Sequence, residues 1–316
     1  MKILKIISIN LLLVFIILLI GEICCLVSGY KFQQQFIKDK YETIKYLFSR
    51  YTTDLCTEYY DVPNNKMRPI EGKYFKKNPI ILFGCSVTYG NKLADNENFS
   101  GTLSKLTKRP VYNMAGDGWT FAHMLKNLQT NKTIENINPD YIIYTFITDQ
   151  KRRLFFFQGW PHDTGLYLRY EFDKNHNLVE IIPHNNIFWR SYLVKTIQYK
   201  IQENKIANEQ KTDELMLKIL SESTKIMKNR YPNAKLIMLL YSDADCKKGE
   251  RDIYPNNQFL TDYEEKAIKD IGFKIVNIEE EMGFPPCTSE YKVDNHHPSA
   301  KFWNEFTPKL VKKFNM

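Results

Sequence analysis

Between residues 79 and 278, short and continuously apolar runs recur with stretches of helical periodicity between them. That alternation limits the chain to few architectures. Pro79–Phe83 is apolar throughout and ends on Gly84; Pro110–Met114, Asp140–Ile147, Leu236–Tyr241 and Phe273–Ile278 repeat the theme. A strand apolar on both faces needs both faces covered, which a parallel sheet between helices provides. The intervening segments have helical spacing: Phe99–Leu106, Phe121–Leu128, Tyr263–Ile271, and a long stretch that puts Leu215, Met216, Ile219, Leu220, Ile226 and Met227 on one side. Phe302–Phe314 closes the chain as a helix that Pro308 is expected to kink or restart. Strands alternating with helices of ordinary length predict an α/β class, a three-layer αβα open parallel sheet.

One stretch breaks the rhythm. Residues 153–208 are rich in aromatics, and Leu166–Ile182 alternates around Asp173-Lys174-Asn175-His176-Asn177, a hairpin signature. The segment reads as an insertion after the third strand, where such loops shape binding sites. The main domain is therefore placed at residues 79–316. Residues 29–78, polar and aromatic with a Pro63-Asn64-Asn65 loop, read as a juxtamembrane stalk.

The first 28 residues are of another kind. From Ile6 to Val27 the chain is apolar except at Asn10 and Glu22, with Lys2 and Lys5 ahead of it. About twenty apolar residues span a bilayer. An uncleaved anchor over residues 6–27 is expected, with a cleaved signal peptide and a secreted domain as the alternative. Glu22 and the Cys24-Cys25 pair make a poor processing site, and no small residue precedes either Cys as lipoprotein attachment needs. Lys31, Lys38, Lys40 and Lys45 follow the span. Long domains translocate largely regardless of such charges, so the domain is expected outside the cytoplasm.

The net charge of +8 comes from Lys scattered along the chain. Scattered charge reads as a solvated surface. With no stripe or motif for it, nucleic acid is not an expected partner, whereas contact with anionic lipid or acidic glycans stays open. Of six Cys, Cys24 and Cys25 lie in the apolar span and Cys85 beside Ser86; Cys56, Cys246 and Cys287 remain. Cys246 and Cys287 both fall in loops and can pair if the domain is exported. No Cys-x-x-Cys occurs and the six His lack ligand spacing, so neither metal nor cofactor is expected.

The chemistry concentrates at two places. Gly84-Cys85-Ser86-Val87-Thr88-Tyr89-Gly90 follows the first strand, and Asp294-Asn295-His296-His297-Pro298-Ser299 lies near the C-terminus. Serine is a weak nucleophile at neutral pH. It needs a His to take its proton and a carboxylate to hold that His in the right tautomer. Ser86, Asp294 and His297 supply such a set in the chain order Ser…Asp…His. Thr88 stands where the second Gly of a Gly-x-Ser-x-Gly elbow would be, so the elbow of α/β-hydrolases is excluded. Read alone, Ser86 is equally well a plain helix N-cap.

Taken together the blocks resemble the SGNH (GDSL-type) hydrolase family. Gly84-Cys85-Ser86 matches its Gly-Asp-Ser block with Cys85 in the Asp place. Asn113-Met114-Ala115-Gly116-Asp117-Gly118 looks like the second block, whose Gly amide donates to the oxyanion; Gly118 is the best match and Gly116 the runner-up. Asp294-x-x-His297 matches the last. The third block departs: the family's Gly-x-Asn-Asp is here Ile147-Thr148-Asp149-Gln150. The resemblance implies a flavodoxin-like sheet. It also implies Ser86 as nucleophile, His297 as base, Asp294 as orienter, and oxyanion donors from the amides of Ser86 and Gly118. Asp149, Thr148 or Gln150 would take the third donor's place. An ionised Asp149 repels an oxyanion, and pairing with Arg152 or Arg153 is the alternative. Arg152 and Arg153 are also candidate substrate contacts. The implied activity is ester hydrolysis or acyl transfer on O-acyl groups, with envelope carbohydrate ahead of lipid as substrate. The rival reading is a degenerate domain that binds a glycan or protein partner without turnover.

Overall fold

The computed structural model describes residues 13–21, 23–24, 70–154, 168–181, 209–241, 259–284, 288–294 and 296–316. The chain divides into two compact units, one of residues 1–61, 155–167 and 181–208, the other of residues 62–154, 168–180 and 209–316.

In the first unit, residues 13–21 and 23–24 are helical, and Leu13 to Ile20 and Ile23 are exposed. Among the described residues, no helix is long and apolar enough to cross a membrane. The rest of the apolar run, the stalk to residue 69, most of the insertion, and Cys56, Cys246 and Cys287 lie outside the described residues.

The second unit is built on a five-stranded parallel sheet in the order β2-β1-β3-β4-β5. Its strands are β1 (Ile80–Phe83), β2 (Val111–Asn113), β3 (Tyr141–Phe146), β4 (Lys235–Leu240) and β5 (Phe273–Asn277). All residues of β1 and β3 are buried, as their apolar sequences, broken only by Thr145, lead one to expect. Two further strands, Arg169–Phe172 and Leu178–Ile181, pair with each other around 173–177, as the hairpin signature predicts. There Asp173 accepts from the amides of Asn175 (2.7 Å) and Asn177 (2.9 Å), an Asx-type turn.

Helices cover both faces. They are α1 (Ser86–Tyr89), α2 (Phe99–Thr107), α3 (Phe121–Thr130), α4 (Lys132–Glu135), α5 (Asp149–Arg153), α6 (Glu209–Arg230), α7 (Asp262–Ile271), α8 (Ile278–Met282) and α9 (Ala300–Phe314). Alternate strand residues point to opposite faces. Ile80, Leu82, Ile143, Ile237 and Leu239 thus join Phe99, Phe302, Trp303 and Phe306 of α2 and α9 in one core cluster. Phe99 stacks on Trp303 at 4.6 Å. On the other face Phe121 of α3 stacks on Tyr144 at 4.5 Å, and α6 packs against α3 and α7.

Caps mark where helices start and stop. Thr261 and Glu264 form a reciprocal capping box on α7, which Gly272 ends at φ +117°. α9 begins on Ser299, which accepts from the Phe302 amide at 3.3 Å. It does not restart at Pro308 but runs unbroken to Phe314. Phe302, Trp303, Phe306 and Leu310 are all buried, so packing on both sides of Pro308 holds one helix despite the missing donor.

Candidate active site

In a parallel sheet of this kind the carboxyl ends of the strands form the binding edge. β1 delivers Gly84-Cys85-Ser86 there. Gly84 sits at φ +153°, and a Cβ on it would come within 2.2 Å of Thr88 Oγ1 and 3.1 Å of the Thr145 carbonyl. Glycine is therefore required for α1 to pack against β3. Ser86 is the first residue of α1, buried, and its amide, opening a helix, has no partner within it. Gly90 ends the turn in a left-handed conformation, with its amide on the Ser86 carbonyl at 3.0 Å.

Cys85, beside Ser86, is wholly buried. Burial pushes its thiol up, against the Arg153 charge, the Val87 backbone and the Ser86 side chain, which act the other way. The thiol is thus held neutral, unsuited to act as a thiolate nucleophile.

The turn after β2 docks onto this segment. Asn113 is buried, donates from Nδ2 to the Thr88 carbonyl (3.0 Å) and Ser100 Oγ (3.3 Å), and accepts from the Ala115 amide at 3.2 Å. The Gly116 amide points at the Gly84 carbonyl (3.5 Å), and a Cβ on Gly116 would strike the Trp119 ring at 2.4 Å. Gly116 is thereby accounted for by packing. Gly118, at φ +74° and buried, makes no amide hydrogen bond among the described residues. It is the glycine of the pair with a donor to offer.

Beyond Gly118, Trp119 stacks on His123 at 5.3 Å. His123 Nδ1 accepts from the Thr120 amide at 3.1 Å, which puts the ring proton on Nε2. Burial, then the Arg153 charge, lower His123 to about 3, so it stays neutral.

The divergent third block opens α5. Gln150 is buried and used at both ends: Oε1 accepts from the Ile147 amide and Nε2 donates to the Trp119 carbonyl, each at 3.3 Å. It braces the second block against the third rather than facing a substrate. Asp149 accepts from Arg153 Nε at 2.5 Å, one helical turn on. Thr148 is buried between β3 and α5. The Arg152 side chain lies outside the described residues. α5 is held from behind by Lys151, which is buried and paired with Glu264 of α7 and, at 3.6 Å, with Asp213 of α6.

Asp294 and His297 meet as their spacing predicts. Tyr291–Ser299 folds back on itself: the Ser299 amide donates to the Tyr291 carbonyl (2.8 Å) and the Val293 amide to the His297 carbonyl (2.9 Å). Inside this turn Asp294 Oδ1 accepts from the amides of His296 and His297, both at 2.8 Å. His297 Nδ1 lies 3.0 and 2.9 Å from the two carboxylate oxygens. A carboxylate only accepts, so Nδ1 carries a proton toward it, and Nε2 is the ring nitrogen that Asp294 does not engage. Burial raises the Asp294 carboxyl, but His297, Lys92 and the His296 amide outweigh it and hold it well below the usual carboxylate range. Tyr241, just past β4, donates to the His296 carbonyl at 3.3 Å. The turn is thereby moored to the same edge of the sheet that carries Ser86.

Among the described residues, no hydrogen bond joins Ser86 to His297. Lys92, in the loop after α1, ties the two halves directly, with its Nζ 2.8 Å from Asp294 Oδ2. Lys92 and Tyr241 carry no motif that would mark them in the sequence; only folding brings them to the site. Among the described residues, no group of three or more His, Cys, Asp or Glu converges as a metal would need.

No family model matches the chain, and no curated protein matches it. Solved structures similar to it include a carbohydrate esterase family 2 enzyme with a carbohydrate-binding domain from Corynascus thermopiles (Myceliophthora fergusii), at 12% identity and TM-score 0.44, over 75% of this chain and 65% of that one. The esterase EstA from Pseudoalteromonas sp. is similar at 12% identity and TM-score 0.41, over 76% and 97%. A lipase/acylhydrolase from Enterococcus faecalis is similar at 13% and 0.43, over 75% and 95%. At these values the similarity transfers no role to this chain.

Proposed function

We propose that the chain is a serine ester hydrolase or acyltransferase of SGNH type, with Ser86, His297 and Asp294 as its triad. The observation that carries this is the two-oxygen contact of Asp294 on His297 Nδ1, which leaves Nε2 as a base. Ser86 stands at the carboxyl end of β1 in the same sheet.

In this reading Ser86 Oγ attacks an ester carbonyl as Nε2 takes its proton, and Asp294 stabilises the imidazolium. The amides of Ser86 and Gly118 receive the oxyanion. Collapse expels the alcohol, protonated by His297. Water, or a sugar hydroxyl in a transferase, then releases the acyl group from Ser86 with His297 again as base. Without substrate, such nucleophile–base bonds are commonly long and tighten on binding. O-acylated envelope carbohydrate is the substrate class that the motif resemblance implies. A chain anchored through residues 6–27, with its domain outside the cytoplasm, fits that substrate.

A second reading, a glycan-binding or partner-binding domain without turnover, is favoured by the Asp149–Arg153 pair at the third donor's position. A fluorophosphonate probe separates the two. The enzyme reading expects covalent labelling of the full chain that is lost in Ser86→Ala. It also expects loss of at least roughly 10³-fold in hydrolysis of a chromogenic acetyl ester in Ser86→Ala and His297→Ala, with little change in melting temperature. Wild-type-like turnover in either variant sinks the triad; no labelling and no turnover in the wild type leaves the binding reading.

A further inference from the structure

Lys92 sets an ammonium against the triad carboxylate, and its backbone is unusual. It adopts φ +67°, a left-handed conformation that costs a non-glycine residue about 1 kcal/mol. The other described non-glycine residues with positive φ have local reasons. Lys108 and Asn315 are left-handed C-caps of α2 and α9, and His176 sits in the hairpin turn. Lys92 belongs to a loop that leaves α1 through Gly90 and is pinned by the Asn91 amide on the Ser86 carbonyl (3.2 Å), the Leu93 amide on the Gly90 carbonyl (3.1 Å) and the burial of Leu93. A chain so fixed on both sides delivers the Lys92 ammonium to Asp294 Oδ2 at 2.8 Å, and the lysine side chain is about one-third exposed.

We infer that Lys92 is a positioning residue of the triad, which orients the Asp294 carboxylate and tunes how readily His297 accepts a proton. The inference rests on the hydrolase reading above and adds to it a residue outside the SGNH motif blocks. Among the described residues the carboxylate meets the amides of His296 and His297 on Oδ1, Lys92 on Oδ2, and the His297 ring on both oxygens. Lys92 therefore holds Oδ2, one of the two oxygens that face the ring. Its charge has an electrostatic effect as well. A carboxylate shared with an ammonium attracts a protonated imidazole less than a lone carboxylate does. Lys92 thus offsets part of the attraction that Asp294 exerts on a protonated His297 ring. It also couples the loop after the nucleophile to the turn that carries the base.

The test is the acid limb of the pH profile for kcat/KM of the full chain on an acetyl ester. Asn tolerates a left-handed backbone, so Lys92→Asn removes the charge with the least disturbance of the loop. Lys92→Arg keeps the charge. The acid limb is expected to move up by about half a pH unit or more in Lys92→Asn and to stay with the wild type in Lys92→Arg. A merely structural lysine would lower melting temperature or plateau activity and leave the limb where it was. Superimposed acid limbs for wild type and Lys92→Asn overturn the inference. If the wild type neither hydrolyses the ester nor labels with fluorophosphonate, the hydrolase reading has failed. The coupling is then decided without activity, by the NMR titration of the His297 ring in the full chain. A higher midpoint in Lys92→Asn than in the wild type upholds it, and coincident midpoints overturn it.

Discussion

Asp149 shows how one residue can be chemically ambiguous in sequence and resolved by its neighbours. An Asp in place of an oxyanion-hole Asn opposes the charge that develops on the substrate oxygen. In the structure Asp149 instead accepts from Arg153 within α5. It also sits in the first turn of that helix, where a negative charge is favourable. Asp149→Asn is therefore expected to lower stability by about 0.5–1 kcal/mol and to leave ester turnover flat or reduced. Kinetics on a chromogenic acetyl ester, paired with thermal melts, check this. A rise in turnover at unchanged melting temperature would show that the carboxylate had been opposing the oxyanion after all. Gln150 makes the same point from the other side: a side chain with a donor to spare on paper uses both ends to brace Trp119 and Ile147.

At the scale of elements, the short helix α5 depends on a buried ion cluster that joins three helices. Lys151 pairs with Glu264 of α7 and with Asp213 of α6. Burial, then the hydrogen bond and charge of Glu264, push Asp213 up to about 6 against the opposing pull of Lys151. Between the ordinary Asp value near 4 and about 6 the folded protein holds more protons at this site than the unfolded chain. Asp213's contribution is thus fully present below that window and is lost as pH rises through about 6. Asp294 has the opposite sign: held low, it stabilises the fold above the ordinary carboxylate range and loses that contribution as pH falls. Asp213→Asn removes only the first effect. The melting temperature of the variant relative to wild type is expected to climb between pH 4 and pH 7, as read by thermal melts across that range. A difference that is constant with pH would show that Asp213 titrates as it does in the unfolded chain. The elements themselves were largely legible in the sequence, because uniformly apolar runs of four to six residues fit buried parallel strands. The short helices α4, α5 and α8 were not, since four or five residues establish no period.

On the scale of the whole molecule, the chain joins a unit with an exposed apolar helix at residues 13–21 to one with a complete αβα core. Leu13, Phe15 and Ile17 are each more than half exposed, an apolar patch of the kind that marks interaction sites or aggregation liabilities. A chain lacking residues 1–28 is accordingly expected to be soluble without detergent and to keep its α/β circular dichroism and a cooperative melt. Aggregation of the truncated chain, set against a monodisperse full chain in detergent, would show that the segment belongs to a folded core. The sequence by itself determined the layered sheet, the strand order's raw materials and the Asp294–His297 pair. Each of these follows from local periodicity or from a spacing of three residues within one turn. Only the tertiary structure decided that Gly116 packs while the Gly118 amide makes no hydrogen bond among the described residues, that Asp149 turns to Arg153, that α9 passes through Pro308 unbroken, and that Lys92 reaches Asp294. Those outcomes depend on contacts between segments far apart in the chain, whose geometry is set by how helices pack on the sheet and leaves no periodic trace in the order of the residues.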